Sequence, residues 1–145
     1  MTPAIRPATA ADWPAIEALL VAARLPLDGA AQHAPDFLVA EQAGTIVGAI
    51  GMERYADGAL LRSAAVAEGV RGQGVGEALV HALTERARTS GVPALFLLTE
   101  TAEQWFPRFG FARITRDDVP ATVKQSVEFT TACPASAAVM RRALS

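Results

Sequence analysis

The stretch "LLRSAAVAEGVRGQGVGEALVHAL" constrains this chain more than any other. It begins as an apolar strand candidate, passes through the glycine-rich loop "RGQGVG" at residues 71–76, and enters a helix. Leu79, Leu83 and Ala87 fall on one face of that helix, and "SGVP" stops it. "ALFLLT" follows as a buried strand. Strand, loop, helix and strand make a crossover unit, whose two strands lie parallel in one sheet. The chain is thereby committed to an α/β fold.

The flanking segments fill in the sheet. "AIRPAT" reads as a short strand, and "TAADWPAIEALLVAAR" places Ile16, Leu19, Leu20 and Ala23 at helical spacing. Thr9 or Asp12 can cap this helix, and Pro14 suits its first turn. "LPLDGAAQHAP" fits either a loop or a weak short helix. "FLVAEQ" and "TIVGAIGME", joined by Ala43-Gly44, then "ADG" leading into "LLRSAAV", read as an antiparallel meander. After "ALFLLT" come a short helix in "AEQWFPRFG", the strand "FARIT", a helix over "VPATVKQSVEFTTAC" carried by Val119, Val123 and Val127, and a last strand in "SAAVMRRAL". The expected architecture is a mixed sheet with helices on both faces. Without repeats or a linker, residues 1–145 read as one domain.

Composition removes several function classes. A net charge of −2 points to neither a nucleic-acid nor a membrane surface. No apolar run reaches the roughly 18 residues of a membrane helix. The N-terminal "MTPAIRPATAADWP" lacks the pattern of a secretory signal, and a lone cysteine, Cys133, forms no internal disulfide. The expectation is a cytoplasmic protein without a metal, a monomer or a homodimer.

The glycines themselves suggest a ligand. A helix N-terminus carries unpaired N–H groups and the positive end of the helix dipole. Glycines remove side chains that would block an approaching phosphate. The loop lacks the Gly-Lys-Ser/Thr ending of the triphosphatase loop, and its spacing is not that of the dinucleotide fingerprint. A phosphate or pyrophosphate is the expected ligand, and a glycine-rich turn without a ligand is the alternative.

The same stretch resembles the core motif of the GNAT superfamily of acyl-CoA-dependent N-acetyltransferases: Arg or Gln, two residues, Gly, one residue, Gly or Ala. Arg71, Gly74 and Gly76 fill it. "TETAEQWFPRFGF" resembles the family's second segment, with Gly110 and Phe111 as its ending. The resemblance implies six or seven strands, the fourth and fifth splayed, with acetyl-CoA in the gap. It implies that the backbone of Ala64, Ala65 and Val66 pairs with the pantetheine arm. By the same likeness Arg71, Gly72, Gln73, Gly74, Val75 and Gly76 hold the pyrophosphate. Thr99 stands where many members have asparagine. Phe106 stands at the cofactor-side position where many have a tyrosine that protonates the departing thiolate, and a phenyl ring cannot do so.

The implied reaction is direct acetyl transfer to the amine of a small molecule. It needs a neutral amine about 3 Å from the carbonyl and a donor for the oxyanion. Glu53, at the end of the third strand, is the candidate base, weighed against a plain strand-end carboxylate. Glu100, His33 and His81 are further titratable groups. Arg62 is the candidate acceptor-binding residue, because a charged fork in a central strand needs a partner. That partner is either an acid on the substrate or Glu53. Strand alternation places Arg62 on the face of Ala64 and Val66. The strand "LRSAAV" is similar to that of acetyltransferases acting on glyphosate-like acids, which implies an acidic amino acid or analogue as acceptor. Phe129, Cys133, Pro134, Ser136, Ala137, Met140 and Leu144 add a narrower likeness to arsenic-resistance-associated N-acetyltransferases. A protein N-terminal or lysine acetyltransferase, and a non-catalytic acyl-CoA-binding sensor, are the alternatives.

Overall fold

A computed structural model describes residues 3–144. Seven strands form one sheet in the order β1-β2-β3-β4-β5-β7-β6. They are β1 (Ala4–Pro7), β2 (Leu38–Gln42), β3 (Thr45–Tyr55), β4 (Gly58–Val66), β5 (Ala94–Thr99), β6 (Ala112–Ile114) and β7 (Ala138–Ala143). Two α-helices accompany them, α1 (Trp13–Ala22) and α2 (Val75–Thr89). The chain divides into two compact units, Met1–Met52 with Ser63–Leu83, and Glu53–Arg62 with Thr84–Ser145.

In the first unit β1 and β2 pair antiparallel, Ala4 opposite Glu41, and β2 pairs antiparallel with β3. Ala43 (φ 52°) and Gly44 (φ 79°) close the β2–β3 hairpin, both positive as a two-residue hairpin turn requires. Pro14 lies in the first turn of α1, where its missing N–H costs nothing. Asp12, its N-cap, accepts from Arg6 at 2.7 Å and from the Thr9 backbone at 2.7 Å. These donors hold the Asp12 carboxyl well below the usual range, the Arg6 bond contributing most. Ile16 and Leu20 pack with Ala30, Phe37, Val39, Ala49 and Ala65 into one apolar cluster. The undecided segment forms a 3-10 turn, Ala31–Asp36.

In the second unit β4 and β5 run parallel, as the crossover demands, with Ala59 opposite Leu95 and Leu60 opposite Phe96. All of β5 pairs antiparallel with β7, from Ala94–Ala143 to Thr99–Ala138, and β6 pairs with the other edge of β7. Leu60, Ala94, Phe96, Val119, Val123 and Val139 form its core.

Two expected helices are corrected. The segment 119–133 holds a 3-10 turn, Val123–Gln125, and a π-helical turn, Glu128–Ala132. The valine spacing is helical, and Val119 and Val123 are buried. However, β-branched residues disfavour a helix, and the Ser126 hydroxyl accepts from the Glu128 N–H at 3.1 Å, competing with the helical ladder. The segment before Gly110 shortens to a 3-10 turn, Phe106–Phe109, ended by Gly110 in the left-handed conformation. Among the described residues no helix is long and apolar enough to cross a membrane.

Candidate functional site

The loop from β4 to α2 is built from backbone. β4 is tied to β3 at its end, where the Ala67 N–H donates to the Val47 carbonyl at 2.8 Å. A 3-10 turn, Glu68–Val70, follows, and Arg71 folds back so that its Nε donates to the Val66 carbonyl at 3.2 Å. Gly72 and Gly74 have φ of 82° and 83°, which other residues adopt only at a cost. A Cβ at either would meet nothing within 4 Å, so the space above them is open.

The loop is exposed through Arg71, Gly72, Gln73 and Gly74, while Val75 is buried and anchors the helix start. The Ala78 N–H bonds the Gly74 carbonyl at 3.0 Å, so the N–H groups of Val75, Gly76 and Glu77 precede the first intrahelical bond. A positive helix end and an open glycine surface fit a pyrophosphate.

Behind the loop, Ala65 is buried, and Ala64 and Val66 are half-buried. Ser63 interrupts the strand with φ 60°, a left-handed conformation in a buried non-glycine residue. The pleat therefore does not alternate simply across it. The argument that placed Arg62 on the face of Ala64 and Val66 fails at this residue.

Arg62 instead stands in a buried ring of polar groups. Its guanidinium is wholly buried, with Nη1 2.7 Å from Oε2 of Glu53 and Nε 3.5 Å from Oε2 of Glu128. Oε1 of Glu53 accepts from the Tyr55 hydroxyl. The Ser126 hydroxyl bonds Tyr55, and its oxygen accepts from the Glu128 N–H. Burial, followed by the bond to Glu53, pushes the Tyr55 phenol up to about 12. Glu53, 1% exposed, is thus no ordinary strand-end surface carboxylate.

The remaining candidates have surroundings of their own. Cys133 is half-buried, and its thiol is pushed up to about 12 by burial, then by Glu128 and Glu100. Thr99 is half-buried, with its hydroxyl oxygen accepting from the Ala102 N–H at 2.9 Å. Phe106 is buried edge-on against Trp105 (5.0 Å) and Phe111 (5.6 Å). His81 is exposed on α2, and His33 is half-buried in its 3-10 turn. Among the described residues no three His, Cys, Asp or Glu side chains gather to hold a metal ion.

Sequence reasoning missed Tyr55 and Glu128. Strand alternation puts Tyr55 on the face of Glu53, so that signal was present. Glu128 lies in a segment read as a helix and gave none.

Comparison with known proteins agrees with this geometry. The profile of the acetyltransferase (GNAT) domain matches residues 33–113. The amino-acid acetyltransferase of Ralstonia nicotianae is 37% identical over 87 residues, 59% of this chain and 19% of the relative. That of Neisseria meningitidis serogroup A is 28% identical over 92 residues, 62% of this chain and 21% of the relative. The chain thus spans about a fifth of the length of these curated relatives.

Among solved structures, N-acetylglutamate synthase from Neisseria gonorrhoeae, complexed with coenzyme A and N-acetyl-glutamate, superposes with a TM-score of 0.86 at 25% identity. It covers all of this chain and 36% of that one. The Rv2747 protein of Mycobacterium tuberculosis, in complex with CoA, gives 0.83 at 26% identity and covers 97% of this chain and 99% of that one. A glycine loop opening a helix, a seven-stranded mixed sheet and a profile spanning more than half of the chain agree: this protein belongs to the acetyltransferase (GNAT) domain family.

Proposed function

We propose that the protein is an acetyl-CoA-dependent N-acetyltransferase whose acceptor is the amine of a small, acid-bearing molecule such as an amino acid or its analogue. The observation that carries the proposal is the loop: Gly72 and Gly74 leave open space in front of the first N–H groups of α2. In this reading Arg71 to Gly76 hold the pyrophosphate, and Ala64 to Val66 offer backbone to the pantetheine arm. Bound acetyl-CoA supplies an activated acyl group, so the chain need only bind, orient and manage protons.

Phe106 contributes shape and apolar cover to the cofactor side, with no proton to give. Thr99 holds the turn after β5, and its hydroxyl is the polar group at the position where the family often has an amide. Glu53 keeps Arg62 in place and is the candidate base. Arg62 is the group suited to an acid on the acceptor, since its planar fork matches a carboxylate or another oxyanion. The names of the relatives support an amino-acid acceptor, and the narrower arsenic-resistance likeness supports including arsenic-containing amino acids among those tried.

A spectrophotometric screen of CoA release tests this over amino acids, polyamines, simple amines and arsenic-containing amino acids. Turnover is expected with at least one acid-bearing amine. Acetyl-CoA binding without turnover on any amine would leave an acyl-CoA sensor, and no binding would remove the loop assignment.

A further inference from the structure

An arginine that is to hold a substrate acid is here shut away between two carboxylates. The side chains of Arg62, Glu53 and Glu128 are 0%, 1% and 5% exposed. A third anion brought to this cluster would meet net negative charge, because two acids already face one guanidinium. An anion that replaced one of them would leave the charge count unchanged.

The two carboxylates are not equally replaceable. Glu53 sits on β3, 2.7 Å from Nη1, with its other oxygen held by Tyr55. Glu128 opens the π-helical turn, and its ion pair is the longer, 3.5 Å to Nε. Short charge-assisted contacts are the strong ones, and single π turns recur at functional sites. The Nε edge is also one that a bidentate acid can use.

Resting on the reading of Arg62 as the acceptor's acid ligand, the geometry points to Glu128 as a resident stand-in for that acid. Its carboxylate occupies the Nε edge of Arg62 while no acceptor is bound and yields the edge when one arrives. Glu128 is then a specificity-determining residue. It keeps the guanidinium from capturing stray anions, and it raises the concentration of acceptor needed. The groups around Glu128 include Arg62 from β4 and, from its own segment, Ser126 and Cys133.

The test is Glu128→Gln, which keeps the shape and loses the charge. Steady-state CoA release is measured with L-glutamate, L-alanine and ethylamine, the last being L-alanine without its carboxylate. KM for the two amino acids should fall about fivefold or more relative to KM for ethylamine. Unchanged amino-acid KM, or an equal change for ethylamine, overturns the inference.

Arg62→Lys separates the two levels of the argument. If it weakens amino acids no more than ethylamine, Arg62 is not the acid ligand and the underlying reading fails. If it discriminates and Glu128→Gln does not, only the stand-in role fails. Should Glu128→Gln not fold, Glu128→Asp, which draws the carboxylate back, is expected to lower the amino-acid KM as well, and no change there overturns the proposal. Should no amine turn over, the thermal shift given by L-glutamate in the presence of CoA must be larger for the variant than for the wild type; equal shifts overturn it.

Discussion

The loop at residues 71–76 and the ring around Arg62 solve opposite problems with opposite materials. The loop meets solvent, keeps side chains away through Gly72 and Gly74, and in the proposed reading offers backbone N–H groups to a phosphate. The ring is made mostly of side chains, Glu53, Arg62, Ser126 and Glu128 buried and Tyr55 half-buried. A backbone site is cheap for the fold to keep, because an exposed loop supports little else. A buried ionic site is costly to break, because every partner left behind is a charge away from water. The same contrast separates ligand binding from stability. Damage to the loop should be felt by acetyl-CoA alone, and loss of the ring's guanidinium by the fold as well as by the acceptor.

The largest effect should come from the ring. Arg62→Leu leaves Glu53 and Glu128 buried without their guanidinium, and should cost about 3–5 kcal/mol of stability. Urea unfolding would read this as a lower midpoint at an unchanged slope. A loss below about 1 kcal/mol would erase the contrast, placing the ring among ion pairs that contribute little.

Gly74→Val should act the other way. A β-branched residue at φ 83° is strained, by about 1–3 kcal/mol, and its side chain fills the open surface. Acetyl-CoA should lose at least tenfold in affinity, about 1.4 kcal/mol, and its stabilising shift in melting temperature should largely vanish while the chain remains folded. Normal binding would show that the loop does not hold the phosphates.

The smallest effect sharpens the comparison from inside the ring. Tyr55 is the sole tyrosine, so the phenolate absorbance band reports on it alone. Its midpoint should lie near 12, above the ordinary 10.0. The fold favours the protonated phenol. The associated stability is therefore whole below the ordinary value, and drains away as pH rises through about 12. In Glu53→Gln, where a charged acceptor becomes a neutral one, the midpoint should move down. A midpoint at the ordinary value in the wild type would mean that the ring is open in solution.

These two regions also differ in how far the sequence announced them. The loop's conformation was legible because its signal is local: glycines between a strand and a helix mark a sharp turn, and Gly72 and Gly74 have positive φ. The crossover and the meander were legible for the same reason, since Leu79, Leu83 and Ala87 are the helical stripe expected and all are buried. The ring joins Glu53 to Glu128, far apart in the chain, and no spacing rule links them. Only its first half was readable, in an arginine lodged in a central strand and a glutamate beside it. The alternation argument failed where Ser63 takes a left-handed conformation, which nothing in "LRSAAV" signals. Segment 119–133 misled because helical spacing was satisfied by valines that pack without a helix, Val119 and Val123 in the core.

The strand order carries a consequence for how the chain reaches this state. β7 lies between β5 and β6, although it follows both in sequence. Every residue of β5, Ala94 to Thr99, finds a partner on β7, and β6 pairs with β7 over its whole length. During synthesis, therefore, β5 waits with one edge open while segment 115–137 is made. β6 waits with no strand beside it. An open apolar edge such as "ALFLLT" is a template for pairing with another chain. Nascent chains stalled before Ala138 should be the species that chaperones hold and that aggregates collect, and the late arrival of β7 sets the interval during which this protein is most exposed to misassembly.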